Sequence, residues 1–364
     1  MKIRRLTWRA YRIPFRSTFV TSAGAQSVRE GLLVCLEGEG GLDGLGEIAP
    51  LRSSGMEEAA RRLRLLARRL PGADVDDIPR AVRLSGVSRE VGTAIQCGLD
   101  IAACDVLAKE AGVPVVELLG GCRRRTVPVN ATISADTPQQ AAQAASRAVE
   151  NGFRCLKLKV GMMSGVAGEC ELVSAVRDAI GADILLRLDA NQAWDVEQAI
   201  ANINALQRFG VQFVEQPVAA RDLAGLAAVR SAVSTPIAAD ERVTGVGPAK
   251  EIIEHRAADL LVVKPMVVGG LRLARDIIDL AAQAGLDSVV TTTIDSGVGI
   301  AAALHLAASF EGKLACGLAT ADLLESSLTC GIPAANSGVM ACPDGPGLGV
   351  EIDEVEAASY LERT

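Results

Sequence analysis

Histidine and lysine are scarce in this chain, and their scarcity limits which side chains can transfer protons. The two histidines, His255 and His305, lie in helix-like patterns, so we interpret them as surface or core residues. Acid–base chemistry then falls to lysine, aspartate or glutamate. The chain has seven lysines against thirty arginines, and arginine effectively never loses its proton. Lysines at strand ends would therefore indicate groups that must deprotonate.

Disulfides, membrane spans and a secretion signal are also missing. The nine cysteines are odd in number and form no CxxC pair, which is typical of small core residues in a reducing compartment. No apolar stretch reaches the roughly 20 residues of a membrane span, and the N-terminus lacks the apolar core of a signal peptide. We therefore expect a cytoplasmic protein with no membrane partner.

A negative charge balance argues against a nucleic-acid partner. The 37 basic and 44 acidic residues give a net charge of −7, whereas proteins that bind nucleic acid present a basic surface. The arginine-rich stretches at 61–69 and 123–125 are interpreted as solvated faces. The expected partners are a small-molecule carboxylate substrate and, in a homo-oligomer, further copies of this chain.

Length and hydrophobic pattern predict two domains. The 364 residues exceed the roughly 250 residues of a single α/β barrel. Strand-like alternation over 1–50 and a helical pattern over 56–118 predict an N-terminal α+β domain at 1–125. The second domain occupies 126–326. Residues 327–364, rich in Gly and Pro, are expected to pack back on the first domain or to close the second.

Short β-branched runs alternate with helical segments in the second domain, which predicts a (β/α)8-type barrel. A doubly wound sheet would need a glycine-rich turn after its first strand, and none is present. The eight predicted strands span residues 127–133, 155–160, 184–188, 213–215, 236–239, 260–263, 288–293 and 314–318.

Charged side chains end five consecutive predicted strands. Lys157 and Lys159 end the second strand on one face, because residues two apart along a strand point the same way. Barrel active sites lie at the C-terminal ends of the strands, so these charged groups should converge on one mouth. The third to sixth strands end in Asp189, Glu215, Asp240 and Lys264.

Three converging carboxylates repel one another unless a hard divalent cation such as Mg²⁺ lies between them. Such a cation suits removal of a proton α to a carboxylate, since it stabilises the charge of the enediolate. A lysine base must be neutral, although its free pKa is about 10.4. The like charge of Lys157 and the cation both favour the neutral amine of Lys159, which we predict to be the base. Lys264 lies across the mouth.

Each motif alone has a simpler interpretation. A single Lys-x-Lys is most often an exposed edge strand, and a single acidic step usually caps a helix. Together these interpretations require five coincidences of position. The stretch Asp295-Ser296-Gly297 after the seventh predicted strand is weaker, because a helix N-cap explains it as well as a substrate contact does.

In order and spacing the motifs resemble the muconate-lactonizing-enzyme subgroup of the enolase superfamily. The resemblance implies a modified TIM barrel, (β/α)7β, with an α+β capping domain that residues 327–364 complete. It also covers residues 112–121. The motifs are Lys157-Leu-Lys159, Asp189-Ala-Asn191, Glu215-Gln-Pro217, Ala239-Asp240-Glu241 and the run from Lys264 to Gly270.

The same resemblance implies a set of site residues. Lys159 and Lys264 form the acid–base pair, with Asn191 and Glu241 in support. The stretches 17–27 and 47–55 resemble capping loops that contact the distal end of the substrate. The implied ligands of Mg²⁺, or of Mn²⁺ in its place, are Asp189, Glu215 and Asp240.

Several overall reactions share this partial reaction, because the subgroup uses one site for different outcomes. Its dipeptide epimerases carry Asp-x-Asp after the last barrel strand to hold a substrate ammonium, whereas residues 316–322 here contain one acid, Asp322. We therefore expect an o-succinylbenzoate synthase, followed in order by an N-succinylamino acid racemase and a muconate cycloisomerase, with a dipeptide epimerase disfavoured.

Two readings from other classes stay open. A lysine on the sixth strand also suits a Schiff-base aldolase with Lys264 as nucleophile. A binding protein on an inherited barrel is disfavoured, because every acid–base and metal position is filled.

Overall fold

The structure is a computed structural model that describes residues 1–21, 24–50, 55–332 and 334–362. The strands are β1 (Ile3–Thr21), β2 (Gly24–Gly38), β3 (Asp43–Ile48), β4 (Thr126–Pro128), β5 (Ala131–Ile133), β6 (Cys155–Lys159), β7 (Leu185–Asp189), β8 (Val211–Glu215), β9 (Ile237–Ala239), β10 (Leu260–Val263), β11 (Asp287–Val290), β12 (Thr329–Cys330), β13 (Val339–Ala341) and β14 (Glu351–Ile352).

The helices are α1 (Met56–Arg69), α2 (Ile78–Leu84), α3 (Arg89–Ala111), α4 (Val115–Leu118), α5 (Pro138–Glu150), α6 (Gly165–Ile180), α7 (Val196–Leu206), α8 (Leu223–Ala232), α9 (Val246–Glu254), α10 (Pro265–Val268), α11 (Leu271–Gln283), α12 (Gly297–Ala308) and α13 (Glu354–Ala357). Short 3-10 helices lie at Val75–Asp77, Gln207–Phe209 and Ala321–Leu323.

The capping domain is an antiparallel sheet, β1-β2-β3, with α3 packed closely against β3. Gly44 and Gly46 allow this packing, since a Cβ at these positions would lie 2.0 and 1.9 Å from the carbonyl oxygens of Ala102 and Gly98. α3 ends at Gly112, whose φ of +68° is a conformation that glycine tolerates. The predicted α+β capping domain is therefore confirmed.

α3 is also long and apolar enough to cross a membrane, but 83% of its most apolar window is buried inside the protein. Its buried Asp100 accepts hydrogen bonds from Leu271 N (2.7 Å) and Arg272 Nε (2.6 Å) at the start of α11. α3 is therefore the core helix of the capping domain and an anchor for the barrel. The cytoplasmic location and the homo-oligomer stay predictions.

The barrel is a curled parallel sheet in the order β5-β6-β7-β8-β9-β10-β11, with helices between its strands. Two predicted strands differ from expectation. The first, 127–133, is divided into β4, which pairs with β13, and β5, which pairs with β6. The eighth, 314–318, forms only isolated bridges, Val129 to Cys316 and Thr291 to Gly317. The predicted barrel is confirmed, and backbone hydrogen bonds from Cys316 N to Pro128 O (2.7 Å) and from Gly317 N to Val290 O (2.9 Å) join its short eighth segment to the strands on either side.

A buried arginine spans the interior beside that connection. Arg187 of β7 donates from Nε to Gln212 Oε1 and from Nη1 to Ala315 O, both at 2.7 Å. Its guanidinium carbon lies 4.7 Å from the centre of the Phe213 ring. Arg187 therefore ties the irregular eighth segment to two regular strands.

The C-terminal segment contacts both domains. β13 pairs antiparallel with β4 at the start of the barrel. Further along, Arg12 N of β1 donates to Tyr360 O at 2.9 Å, and Arg9 forms an ion pair with Glu354 at 2.6 Å. The segment therefore touches β4 and β1, and the predicted domain boundaries stay predictions.

The scarce and reactive residue types behave largely as predicted. His255 is exposed, whereas His305 is buried, with Nε2 3.1 Å from Leu348 O, and burial lowers the pKa of His305 to about 4. All nine cysteines are free, as expected. The prediction that they fill the core is wrong for Cys122 and Cys330, which are exposed.

The two predicted capping loops are only partly described. Within 17–27, the backbone continues β1 to Thr21 and resumes in β2 at Gly24, and residues 22–23 lie outside the described residues. Within 47–55, Glu47 is a buried strand residue, which corrects its place in a loop, and 51–54 lie outside the description.

Candidate active site

The second barrel strand, β6, carries two lysines on one face. Leu158 separates Lys157 from Lys159, so the alternation of the strand directs both ammonium groups the same way. Both lysines are buried, with 9% and 7% of their surface exposed. An exposed edge strand is therefore excluded.

Carboxylates stand at the ends of the neighbouring strands. Asp189 ends β7 and Glu215 ends β8, and the two are register partners in the sheet. Lys159 is in turn the register partner of Asp189. Asp240 follows β9 directly, and all three carboxylates are at most 3% exposed. Parallel strand ends share one rim, so the structure brings these predicted residues together.

Two lysines form short ion pairs on opposite sides of this rim. Lys159 Nζ donates to Asp189 Oδ2, and Lys264 Nζ donates to Asp240 Oδ2, each at 2.6 Å. In the sheet, β7, β8 and β9 lie between the strands that carry the two lysines. We call the following six residues the mouth cluster: Lys157, Lys159, Asp189, Glu215, Asp240 and Lys264.

Lys157 lies between two carboxylates. Its Nζ is 3.1 Å from Glu215 Oε1 and 3.2 Å from Asp189 Oδ2. Burial alone would lower the pKa of Lys157, but the charges of Glu215, Asp189 and Asp240 raise it. The acids thus hold Lys157 as a cation, a role that the sequence did not predict. Its effect on Lys159 stays a prediction.

The carboxylates differ in how readily they ionise. Burial and the charge of Asp189 raise the pKa of Glu215 to about 8, although the lysines oppose the shift. Burial likewise raises the pKa of Asp240. Burial would also raise the pKa of Asp189, but the lysine charges lower it. A divalent cation relieves this kind of crowding between buried acids.

A metal fits this donor set, although the side chains are turned toward the lysines. Among the residues described, no three His, Cys, Asp or Glu side chains are placed as they stand to hold a metal ion. The ammonium of Lys157, however, occupies the position of a cation between Asp189 and Glu215. Carboxylate oxygens on consecutive strands are ligands that Mg²⁺ prefers. Asp240 would complete the set by turning from Lys264.

Asn191 and Glu241, the predicted supporting residues, lie beside the lysines of the rim. Asn191 Oδ1 accepts from Lys159 Nζ at 2.7 Å, and Asn191 Nδ2 donates to Glu241 Oε1 at 3.1 Å. Burial would lower the pKa of Lys264, but the charges of Asp240 and Glu241 raise it. Hydrogen bonds therefore link Lys159 to Glu241, whose charge in turn favours the ammonium form of Lys264.

The stretch Asp295-Ser296-Gly297 lies at the start of α12, where Ser296 is the N-cap. Ser296 donates from its backbone N to Glu47 Oε1 at 2.9 Å and from Oγ to Glu47 Oε2 at 2.7 Å. Asp295 Oδ1 lies 3.8 Å from Arg29 Nη2. The N-cap reading is therefore the one that the structure supports, and a substrate contact stays a prediction.

These contacts belong to a second buried group of charges, between the domains. Glu47 also accepts from Gly299 N at 2.9 Å and from the Tyr11 hydroxyl. The Arg29 guanidinium donates to the carbonyl oxygen of Ala49 at 2.6 Å and to that of Ile294 at 3.0 Å. We call this group the interdomain cluster: Tyr11, Arg29, Glu47 and Asp295.

The sequence did not predict that the interdomain cluster assembles, nor the roles of Arg187 and Gln216. Glu47 and Arg29 each have a partner far along the chain, Ser296 at 249 residues and Ile294 at 265 residues, so no local pattern reveals these contacts. Arg187 could have been predicted to face the barrel interior, because strand alternation places it on the same face as Asp189.

Lysines and carboxylates at the strand ends of a parallel barrel form a candidate site for acid–base chemistry. The profile described as Mandelate racemase / muconate lactonizing enzyme, N-terminal domain, matches residues 3–120. The profile described as Enolase C-terminal domain-like matches residues 139–356. The chain therefore belongs to the mandelate racemase and muconate lactonizing enzyme family of the enolase superfamily, as its motifs predicted.

Relatives with different reactions are similar to this chain. The hydrophobic dipeptide epimerase of Enterococcus faecalis is 32% identical over 355 residues, which cover 96% of this chain and 99% of that protein. The o-succinylbenzoate synthase of Thermobifida fusca is 35% identical over 325 residues, 89% and 83% of the two chains. A crystal structure of the Enterococcus faecalis enzyme with Mg and the dipeptide L-Leu-L-Tyr superposes with a TM-score of 0.89 at 30% identity, covering 96% of this chain and all of that one. Enzymes of this superfamily generally use Mg²⁺.

Proposed function

We propose that this enzyme removes a proton α to the carboxylate of a small-molecule substrate and forms an enediolate. The mouth cluster carries the proposal, because its lysines stand on opposite sides of buried carboxylates. Lys159 Nζ is the proposed base, held in place by Asp189 Oδ2 and Asn191 Oδ1. Lys264 Nζ faces the substrate from the other side as an acid or as a stabilising cation.

Asp189, Glu215 and Asp240 are the proposed ligands of Mg²⁺, for which Mn²⁺ can substitute. When bound, the cation supplies positive charge that stabilises the enediolate oxygens. Carboxylates engaged in this way would no longer hold the lysines as ion-pair partners, which would leave Lys159 Nζ free to face the substrate. A lysine acts as a base only in its neutral form.

For the overall reaction we propose the dehydration that yields o-succinylbenzoate. Lys159 Nζ takes the α-proton and then gives a proton to the departing hydroxyl, which leaves as water, while Lys264 stays protonated. The composition of the eighth segment supports this choice. Residues 314–321 contain no Asp or Glu, and Asp322 is exposed. A substrate ammonium would therefore have no pair of acids to bind there.

Proton transfer between the two faces of one carbon is the second candidate, as in N-succinylamino acid racemisation or dipeptide epimerisation. Lys159 and Lys264 favour it because each places its Nζ 2.6 Å from a carboxylate on its own side of the rim, so one lysine as the amine can take a proton while the other as the ammonium delivers one. The similarity to a dipeptide epimerase supports it further. Muconate cycloisomerisation comes third.

The test is an assay of the purified enzyme with Mg²⁺ against three substrate classes: the dehydration substrate, N-succinylamino acids and a dipeptide library. We expect turnover of the dehydration substrate and no α-proton exchange in dipeptides. Turnover confined to N-succinylamino acids would establish the second candidate in its place. Turnover confined to dipeptides would show that the eighth segment does not exclude an ammonium.

Chelation separates this proposal from a Schiff-base aldolase that uses Lys264 as nucleophile. EDTA should abolish activity, added Mg²⁺ should restore it, and borohydride should trap no adduct. Activity that survives EDTA, together with a borohydride adduct on Lys264, would overturn the metal-dependent proposal.

A further inference from the structure

Gln216 is neither a proposed metal ligand nor part of the acid–base pair, yet all of its polar atoms are engaged at the mouth. It follows Glu215 directly and is fully buried. Its Oε1 accepts from the backbone N–H of Asp240 at 2.9 Å and of Arg242 at 3.3 Å. Its Nε2 donates to Val218 O at 3.0 Å. One side chain therefore connects the strand that ends in Glu215 with the turn that begins at Asp240.

The backbone of Gln216 is also unusual. Its φ is +38°, in the left-handed region that residues with a side chain rarely adopt. Such a conformation is energetically unfavourable and persists only where the surroundings enforce it. Two backbone hydrogen bonds do so here, from Gln216 N to Ala238 O at 2.9 Å and from Gln192 N to Gln216 O at 2.8 Å. A strained residue fixed on both sides is typical of a functional position.

We propose that Gln216 is a positioning residue that sets the separation and orientation of Glu215 and Asp240 for a divalent cation. The inference rests on the proposed function, since it requires a cation at these carboxylates. Without Oε1, the buried N–H groups of Asp240 and Arg242 would lack an acceptor, and the turn would have to shift. Residues that orient metal ligands typically contribute about 10- to 100-fold to metal affinity.

Gln192 offers a matched control. It is also left-handed, with φ of +68°, and its Oε1 also accepts a backbone N–H, from Ala220 at 2.8 Å. Unlike Gln216 it is exposed, and the backbone that it holds carries no proposed ligand. Gln192→Met therefore removes a hydrogen bond of the same kind without releasing a carboxylate.

The test measures Mg²⁺ and Ca²⁺ binding to the full-length enzyme by isothermal titration calorimetry. Gln216→Met, which keeps the length of the side chain without its polar atoms, should weaken Mg²⁺ binding about 10- to 100-fold. Ca²⁺ binding should weaken less, because Ca²⁺ tolerates irregular geometry whereas Mg²⁺ requires a near-ideal octahedron. Gln192→Met should bind both cations like the wild type.

Unchanged Mg²⁺ affinity in Gln216→Met would overturn the inference, and so would an equal loss for both cations, which indicates general loosening. Gln216→Asn is the second variant, in case methionine impairs folding. Asparagine suits the left-handed backbone but is one methylene shorter, so the same loss is expected. A wild-type chain that bound neither cation would overturn the proposed function as well, and this outcome is distinct from a change seen only in the variant.

Discussion

The mouth cluster and the interdomain cluster are both buried groups of opposite charges, but their cations differ. Lysines face the carboxylates at the mouth, whereas between the domains Arg29 provides the positive charge. A lysine can lose its proton and redirect its donors, while a guanidinium stays charged and donates in a fixed plane. The lysines of the mouth cluster can therefore take part in proton exchange, whereas Arg29 gives the interdomain cluster a fixed charge that holds the two domains together.

The carboxylates of the two clusters also differ in the groups that donate hydrogen bonds to them. Asp189, Glu215 and Asp240 are contacted mainly by side-chain ammonium groups, which a ligand can displace. Glu47 instead accepts from the backbone N–H of Ser296 and Gly299 in the first turn of α12. Those donors cannot move unless the helix moves. Variants in the mouth cluster should therefore change activity, and variants in the interdomain cluster should change stability.

The largest effect is expected at the proposed base. Lys159→Met should lower the rate of α-proton exchange about 10⁴-fold, because general base catalysis contributes up to that factor. Lys159→Arg keeps the charge but cannot deprotonate, so a comparable loss is expected. The measurement is exchange with D₂O followed by NMR, with Mg²⁺ and the substrate that turns over. Substantial exchange in Lys159→Arg would contradict the assignment of the base.

Glu47→Ala should have the next largest effect, and on stability rather than on chemistry. It leaves the buried amides of Ser296 and Gly299 without an acceptor, and two such amides at about 2 kcal/mol each should lower the free energy of unfolding by about 4 kcal/mol. Urea denaturation measures the loss. Glu47→Gln keeps an acceptor and should lose less. Equal losses in the two variants would show that the carboxylate charge carries the whole effect.

Asp295 should make the interdomain cluster depend on pH. Burial and the charge of Glu47 raise the pKa of Asp295 to about 6, above the 3.8 of a free aspartate. The folded chain then binds more protons between these values, so the stability contributed by protonated Asp295 is lost as pH rises from 4 to 6. Asp295→Asn should therefore stabilise the enzyme more at pH 8 than at pH 4, by up to about 3 kcal/mol.

Urea denaturation of wild type and Asp295→Asn at the two pH values measures this difference. Groups that do not interact with Asp295 titrate alike in both chains, so their contributions cancel. A stability difference that stayed constant with pH would indicate that Asp295 is already charged at pH 4.

Tyr11→Phe should have the smallest effect. It removes one donor to Glu47 but leaves the contacts with Ser296 and Gly299, so a loss of about 1 kcal/mol is expected. A double-mutant cycle checks the cause. If the hydroxyl acts through Glu47, Tyr11→Phe should cost almost nothing in the Glu47→Ala background.

The barrel and the mouth cluster could be predicted because both follow local rules. Strand alternation places Lys157 and Lys159 on one face, and the parallel barrel places every strand end on one rim. A residue such as Asp189 can therefore be assigned to the mouth from its position in a strand alone. Family motifs led to the same residues.

The remaining features depend on contacts that no local pattern encodes. From the sequence alone, Glu47 is an ordinary charged residue near the end of a strand. Its role follows only from the contact with the start of α12, far along the chain. The eighth strand was predicted from the repeat of strands and helices, but residues 314–318 form only isolated bridges, and Arg187 adds a side-chain hydrogen bond to Ala315 O. The role of Gln216 could not be predicted because its side chain binds the backbone N–H of Asp240, in the turn after the neighbouring strand.

The contact between Glu47 and the first turn of α12 also limits how this enzyme can be recombined. The capping domain and the barrel occupy separate stretches of the sequence, so exchanging them between relatives looks simple. A hybrid should keep its stability only if the incoming cap brings an acid to the position of Glu47 or the incoming barrel satisfies its own amides. Exchange of a whole segment should therefore succeed only when both sides of this contact are exchanged together.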